Sequence, residues 1–232
     1  MKPMIKKSLV SVLALGLLVL VSGCDNDNDN GAGRYEISVT NLSNNQPMSP
    51  PAWAFHDEDY MGWEIGSAAT AGLEILAESG DASSFVSEAR NHAAVYTQRA
   101  ADEMVLPGQT QTYTVAFRHD GGLQFTLATM LVNTNDAFVG VSGVKISDLA
   151  TGEERTYMAR AYDAGTEENL ETAATIPGPA GGGEGFNAAR EASDKVSMHS
   201  GVVTNSDGLS SSALDQSHRF DNPVARVVIR HL

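Results

Sequence analysis

From Tyr35 to Thr40 apolar and polar residues alternate one for one, with Tyr35, Ile37 and Val39 set against Glu36, Ser38 and Thr40. A period of two places successive side chains on opposite faces of an extended chain, so this segment reads as a strand with one face buried. The pattern returns where Tyr113, Val115 and Phe117 alternate with Thr112, Thr114 and Ala116. That run ends at His119-Asp120-Gly121-Gly122, whose glycines permit a hairpin turn. The next stretch, Leu123 to Val132, carries Leu123, Phe125, Leu127 and Leu131 on one face and Ala128, Met130 and Val132 on the other. A strand apolar on both faces belongs in the middle of a sheet. Val144-Lys145-Ile146 and Thr156 to Tyr162 flank the turn-forming Ala150-Thr151-Gly152, and Val224 to His231 is a further strand. Six or more strands with turn signals between them predict an all-β fold, an antiparallel β-sandwich.

Two stretches depart from that pattern. Ser67 to Ala77 spaces Ala68, Ala69, Leu73, Leu76 and Ala77 as a short helix would, and Asp81 is placed to cap a second turn through Ser83, Phe85, Val86 and Ala89. They read as a short helical insertion between strands. Residues 164–223 form a long Gly-rich loop, where Ile176-Pro177-Gly178-Pro179 and Gly181-Gly182-Gly183 exclude regular structure over much of the length. With no internal repeat and no clean linker, residues 35–232 read as one domain.

The amino end has a different logic. Lys2, Lys6 and Lys7 form a positive region, and Leu9 to Val21 is an apolar run too short for a comfortable membrane span but right for a signal peptide. It ends in Val21-Ser22-Gly23-Cys24, which resembles a bacterial lipobox, and Cys24 is the chain's one cysteine. This divides the chain into a lipoprotein signal peptide, 1–23; a flexible acidic tether, 24–34; and the domain, 35–232. Lipid on Cys24 contributes about 0.8 kcal/mol per buried methylene, so its acyl chains hold a protein on a bilayer without a spanning helix. The expected partner is therefore the membrane, and the location a bacterial cell envelope, periplasmic or surface-exposed. In the tether Asp25, Asp27 and Asp29 brush the EF-hand loop pattern with Glu36 at its twelfth place, but the required glycine is displaced by one and Glu36 is better used in a strand. A formal charge of −14 with no basic stripe repels phosphate backbones, which argues against nucleic acid.

Four separated blocks carry a resemblance. Met48-Ser49-Pro50-Pro51 followed by Phe55-His56-Asp57, then Asn135-Asp136-Ala137-Phe138-Val139-Gly140, Tyr162-Asp163-Ala164-Gly165-Thr166-Glu167, and Asn222-Pro223-Val224-Ala225-Arg226-Val227 resemble, in order, the spondin domain. That is the N-terminal-type domain of the matrix protein F-spondin, which also occurs alone in bacterial secreted and lipid-anchored proteins. The resemblance implies a β-sandwich similar to the C2 fold with one calcium ion, Ca²⁺, held by acidic loops, here by Asp136, Asp163 and Glu167. The family's last loop position is typically Asp; Glu167 is one methylene longer, which loosens the geometry or shifts the role to Glu168.

The residues make a parallel case. Ca²⁺ takes six to eight oxygen ligands at about 2.3 to 2.6 Å, and loops at one end of a sandwich bring carboxylates and carbonyls together. Asp136 follows a strongly apolar strand, Asp163 ends another, and Gly165 bends the chain so that Asp163 and Glu167 can face one ion. On the residues alone, solvated acids on an acidic surface are the favoured reading, because acidic loops are common there; the resemblance tips the balance to the metal. His56, beside Asp57, Glu58 and Asp59, and the loop histidines His199 and His218 are candidates for a transition-metal or hydrolytic site. No His-Glu-x-x-His, Gly-x-Ser-x-Gly or phosphate-cradling loop accompanies them, and Ser142 reads as a turn residue. Trp53, Phe55 and Trp63 line either a ligand face or the core. The leading expectation is a non-enzymatic, calcium-binding adhesion or ligand-binding module with an extracellular glycan, lipid or protein ligand. A metal-assisted hydrolase using the loop histidines, or a purely structural envelope protein, are the alternatives.

Overall fold

The computed structural model describes residues 32–189 and 193–232. The signal peptide, Cys24 and nearly all of the tether lie outside the described residues. Nine strands and two short helices follow in order: β1 (Gly33–Asn41), β2 (Ala52–His56), α1 (Ala71–Ser79), α2 (Ser83–Arg90), β3 (Val95–Ala100), β4 (Thr110–Phe117), β5 (Gln124–Met130), β6 (Ala137–Lys145), β7 (Glu154–Asp163), β8 (Ser197–Met198) and β9 (Ala225–His231). All pairings are antiparallel, in the order β3-β2-β5-β6-β7-β9-β1-β4, with β8 on the far end of β7. The all-β expectation holds, in a particular form: one sheet folds over into two layers and nearly closes. The hinge is β7, whose first half pairs with β9 through Ala159 and whose second half pairs with β6 from Arg160. Changing partners midway lets one strand turn the corner of a sandwich.

Alternation explains the layers. On β1, Tyr35, Ile37 and Val39 are buried, while Ser38 and Thr40 lie outside and pair by hydroxyl with Thr112 and Thr110 of β4, each at 2.9 Å. Their inner faces meet Phe55, Phe125, Leu127, Val139 and Val227 between the layers. The outer face of β5 and β6 is covered by the helices, with Leu73, Leu76, Ala77 and Phe85 packed on Ala128 and Phe138. That cover is why β5 is buried on both sides.

The helical insertion forms as expected, a few residues further on. Thr70 caps α1 by accepting from the Leu73 N–H, and Gly80 ends it at φ 74°, the left-handed conformation that suits glycine. Asp81 is not the cap of α2; that position is Ala82, and Asp81 instead accepts from the Ser83 N–H at 2.9 Å. Two further expectations are corrected. Gly121 and Gly122 do not make a hairpin, because β4 pairs with β1 and β5 with β2 and β6, so the glycines carry the chain from one layer to the other. Ser142 lies within β6 rather than a turn, and its Oγ accepts from Gly62 N–H at 3.0 Å and Trp63 N–H at 3.3 Å, fastening that segment to the sheet. Glu36, the residue at the EF-hand position, lies on β1 opposite Thr114 and Arg230.

Candidate functional site

The turn between β5 and β6 and the loop after β7 meet at one end of the sandwich. Thr134 closes the first by donating to Leu131 O at 2.6 Å and accepting from Ala137 N–H at 3.1 Å. Asp136 therefore enters β6 directly beside Asp163, because Asp163 is opposite Ala137 in the β6–β7 register. After Asp163 the chain reverses at Gly165, φ 73°, where a side chain would collide with the Lys195 carbonyl. Gly165 N–H donates to Asp163 Oδ1 at 2.8 Å, and the reversed chain aims Thr166 N–H and Glu167 N–H at Asp136 Oδ2, at 3.0 and 3.1 Å. The three acids of the sequence reading thus belong to one wrapped loop pair. Glu167 is buried there whereas Glu168 faces solvent, so the alternative role for Glu168 does not match its placement.

What this loop pair leaves unbonded is informative. Asp136 is 0% exposed, and its Oδ1 has no hydrogen-bond partner. Asn135 donates from Nδ2 to Glu168 O at 3.3 Å, leaving its buried Oδ1 without a partner, and the Thr166 Oγ1 is buried without one too. A buried polar atom without a partner costs roughly 1–3 kcal/mol, more when it is charged, and Asn135, Asp136 and Thr166 carry three such oxygens. Burial and the neighbouring Asp163 charge raise the Asp136 pKa to about 7, against the two loop N–H groups that favour the carboxylate. Asp163 has both oxygens engaged, Oδ1 by Gly165 and Oδ2 by Asn169 Nδ2 at 2.6 Å.

The donor chemistry fits calcium. Carboxylate, amide and hydroxyl oxygens are hard ligands, with no thiolate and no imidazole among them. Among the described residues, no three His, Cys, Asp or Glu side chains are gathered into a metal shell.

The histidines are engaged separately. His56, 0% exposed on β2, bonds Thr126 Oγ1 at 2.9 Å and Asp57 O at 2.6 Å, and burial lowers its pKa. His218 accepts from Asp215 N–H at 3.1 Å and bonds Asn45 Nδ2 at 3.2 Å. His199 Nδ1 accepts from Gly201 N–H at 3.0 Å and the ring packs against Phe220, while its Nε2 is buried with no partner; burial lowers its pKa while Asp163 opposes the shift. Trp53, Phe55 and Trp63 are core: Trp53 lies 4.7 Å from the Tyr113 ring, and Trp63 stands edge-on to Phe138. Asn135 and Thr166 stand within the resembling blocks without a role of their own there, and the burial of Glu78 has almost no sign in the sequence. The only sign of Glu78 there is a charge following directly on the apolar Leu73, Leu76 and Ala77 stripe.

A family model, Spondin_N, matches residues 44–176, more than half the chain. The match contains the blocks at 48–57, 135–140 and 162–167, and the block at 222–227 lies beyond it, on the segment that leads into β9. There, Asn222 Oδ1 accepts from Ala161 N–H at 2.7 Å, just where β7 changes partners. No curated protein matches the chain.

Proposed function

The chain belongs to the spondin N-terminal domain family, and from that premise we propose that it is a lipid-anchored, calcium-binding, non-enzymatic adhesion or ligand-binding module of a bacterial cell envelope. The family supports an extracellular ligand-binding or adhesion-type module and is not a known enzyme family. The observation that carries the finer reading is Asp136: a carboxylate sealed from solvent, with two N–H groups on one oxygen and nothing on the other.

In this reading Asp136, Asp163 and Glu167 hold the ion, with Asn135 and Thr166 adding neutral oxygens. Bound there, calcium supplies positive charge that cancels carboxylate repulsion and fixes loop geometry. The chain's own part is positional. The β6–β7 register brings two acids together, Gly165 reverses the loop, and two N–H groups hold Asp136 Oδ2 so that Oδ1 points away. His56 and His218 each have both ring nitrogens engaged by other groups, which supports a binding rather than a hydrolytic role.

Anchoring rests on Val21-Ser22-Gly23-Cys24. Among the described residues no helix is long and apolar enough to cross a membrane, and the proposed hold on the bilayer is through lipid alone. Two experiments test the proposal. Cys24→Ser is expected to release the protein from the membrane fraction or stall its processing; normal processing with retention contradicts the anchor. Glycan, lipid and protein arrays probed with the full chain in calcium and in chelator are expected to yield a calcium-dependent ligand, and turnover of an arrayed substrate contradicts the non-enzymatic role.

A further inference from the structure

The sheet nearly closes, and the two strands at its open margin differ in what they offer a neighbour. β3 and β4 stand at the two ends of the strand order, and an end strand presents an unpaired row of N–H and C=O groups to any other chain. β3 is six residues long, carries the exposed Arg99, and slips register with β2 between Phe55 and His56. Shortness, a charge and an irregular register each discourage a further strand. β4 has none of these protections.

Over Thr110–Phe117 it reads Thr-Gln-Thr-Tyr-Thr-Val-Ala-Phe, eight residues with no proline, no glycine and no Asp, Glu, Lys or Arg. Its register with β1 runs from Thr110 to Phe117 without a shift, and among the described residues its backbone bonds to β1 alone. Thr110, Thr112, Thr114 and Ala116 face solvent, while Tyr113 and Val115 are half-buried at the margin of the core. The acids whose charge reaches Tyr113, Asp102 and Glu103, lie in the connection from β3, and Asp102 pairs with Arg99 at 3.7 Å. The chain carries a formal charge of −14, so two copies repel over most of their surfaces. An uncharged strand is where that repulsion is least.

We infer that β4 is a self-association edge, at which two copies of this chain pair β4 to β4, antiparallel about a two-fold axis, and join their sheets. A two-fold interface uses the same patch on both copies, so the strand must complement itself. Facing residues of an antiparallel pair share a face, and the registers of greatest overlap put the axis at Tyr113 or at Thr114. In either one, threonine meets threonine on the outer side, repeating the hydroxyl pairs that Thr112 and Thr110 make with Ser38 and Thr40 at 2.9 Å on the other edge. On the inner side Tyr113 and Val115 of both copies are covered. Because β1 is antiparallel to β4, the two amino ends, at Gly33, then point in opposite directions. For chains anchored as proposed above, that geometry suits copies on two facing membranes; this last step alone rests on the lipid anchor.

The test is sedimentation equilibrium of the full chain in non-ionic detergent and reducing agent, which requires neither calcium nor a membrane. Wild type is compared with Thr112→Lys/Thr114→Lys, two exposed positions at which added charges face like charges in either register. Thr156→Lys/Met158→Lys puts the same charges on exposed positions of β7, separated from β4 by β9 and β1. Wild type is expected to dimerise as concentration rises, with amide exchange across residues 110–117 slowing in step. The β4 variant is expected to dimerise at least about tenfold more weakly, and the β7 variant like wild type. Should the double β4 variant fail to fold, Thr114→Lys alone is expected to weaken the dimer in the same direction. A wild type that stays monomeric throughout, a dimer that a folded β4 variant leaves intact, or one that the β7 variant weakens equally would overturn the inference. The calcium and anchor readings stand or fall separately.

Discussion

Two buried polar regions lie next to each other at one end of this sandwich, and they are finished differently. In the first, Asn41 donates to Gln46 O at 2.8 Å and Val105 O at 2.9 Å and accepts twice from Ser43, so its amide is fully satisfied. Beside it Thr129 donates to Ser49 O at 2.7 Å, Ser49 accepts from Met130 N–H at 2.9 Å, and Asn133 joins Asn45 to Ala180. These groups are neutral, and apart from Gln46 Oε1 they satisfy one another. In the second, reached along the same turn, Asn135, Asp136 and Thr166 each keep a buried oxygen with no partner. The fold is able to close a polar cluster there, as the first region demonstrates. The second is left open in its acids and their neighbours, the groups that a divalent cation would complete.

The contrast breaks first at Asn41. Asn41→Ala removes the buried hydrogen bonds to Gln46 O and Val105 O, which keep Ser43 Oγ and Met48 N–H as donors, and those from Ser43, and is expected to cost about 3 kcal/mol, lowering the melting temperature by roughly 6–12 °C, equally in calcium and in chelator. A loss confined to chelator would mean that the first region also depends on the ion.

Acid titration probes the second region. Folded Asp136 keeps its proton up to about pH 7, whereas an unfolded aspartate releases it near 3.9. Between those values the folded state binds more protons, so in chelator stability falls as pH rises through that window and recovers on acidification, by at most about 1.4 kcal/mol per pH unit from this group. Calcium competes with that proton, and its stabilisation is expected to be largest above pH 7. Glu171, also raised to about 7 by burial, titrates in the same direction. Chemical melts from pH 5 to 8 are therefore expected to show a reduced, not abolished, slope in Asp136→Asn. A slope of opposite sign would contradict the burial of these carboxyls.

The finest comparison is between two threonines. Thr129→Val removes a made hydrogen bond and leaves Ser49 O without it, at about 1–2 kcal/mol. Thr166→Val removes a hydroxyl that bonds nothing, so melting in chelator is expected to change by no more than about 0.5 kcal/mol, while calcium affinity falls. Equal costs for both in chelator would erase the distinction between the two regions.

Much of this was legible in the chain before any coordinates, for identifiable reasons. Period-two alternation exposes β1 and β4, β9 shows as an apolar run, and Asp136 and Asp163 stand at the ends of apolar runs where loops must begin. β2 and β3 were not legible as strands: Ala52 to His56 is buried on both faces, and β3 is half-buried at every position but Arg99, so neither alternates. The pairing of strands was not legible either, which is why Gly121-Gly122 read as a hairpin although it links two layers. Glu78 was hidden for a deeper reason. Its burial depends on where α1 lands on β5 and β6, a tertiary outcome that helix periodicity does not encode, and a lone glutamate at a helix end reads as solvated.

The measurement that bears most directly on the central claim is thermal melting of the full chain in chelator, in calcium and in magnesium, for wild type and Asp136→Asn. Calcium a hundredfold above its Kd is expected to stabilise the wild type by about 2.7 kcal/mol, a rise of roughly 5–11 °C. Magnesium, with its tight octahedral shell, should give far less, and Asp136→Asn should lose the calcium shift without falling below wild type in chelator. A wild-type melting point that ignores calcium, or an equal calcium shift in Asp136→Asn, would contradict the account.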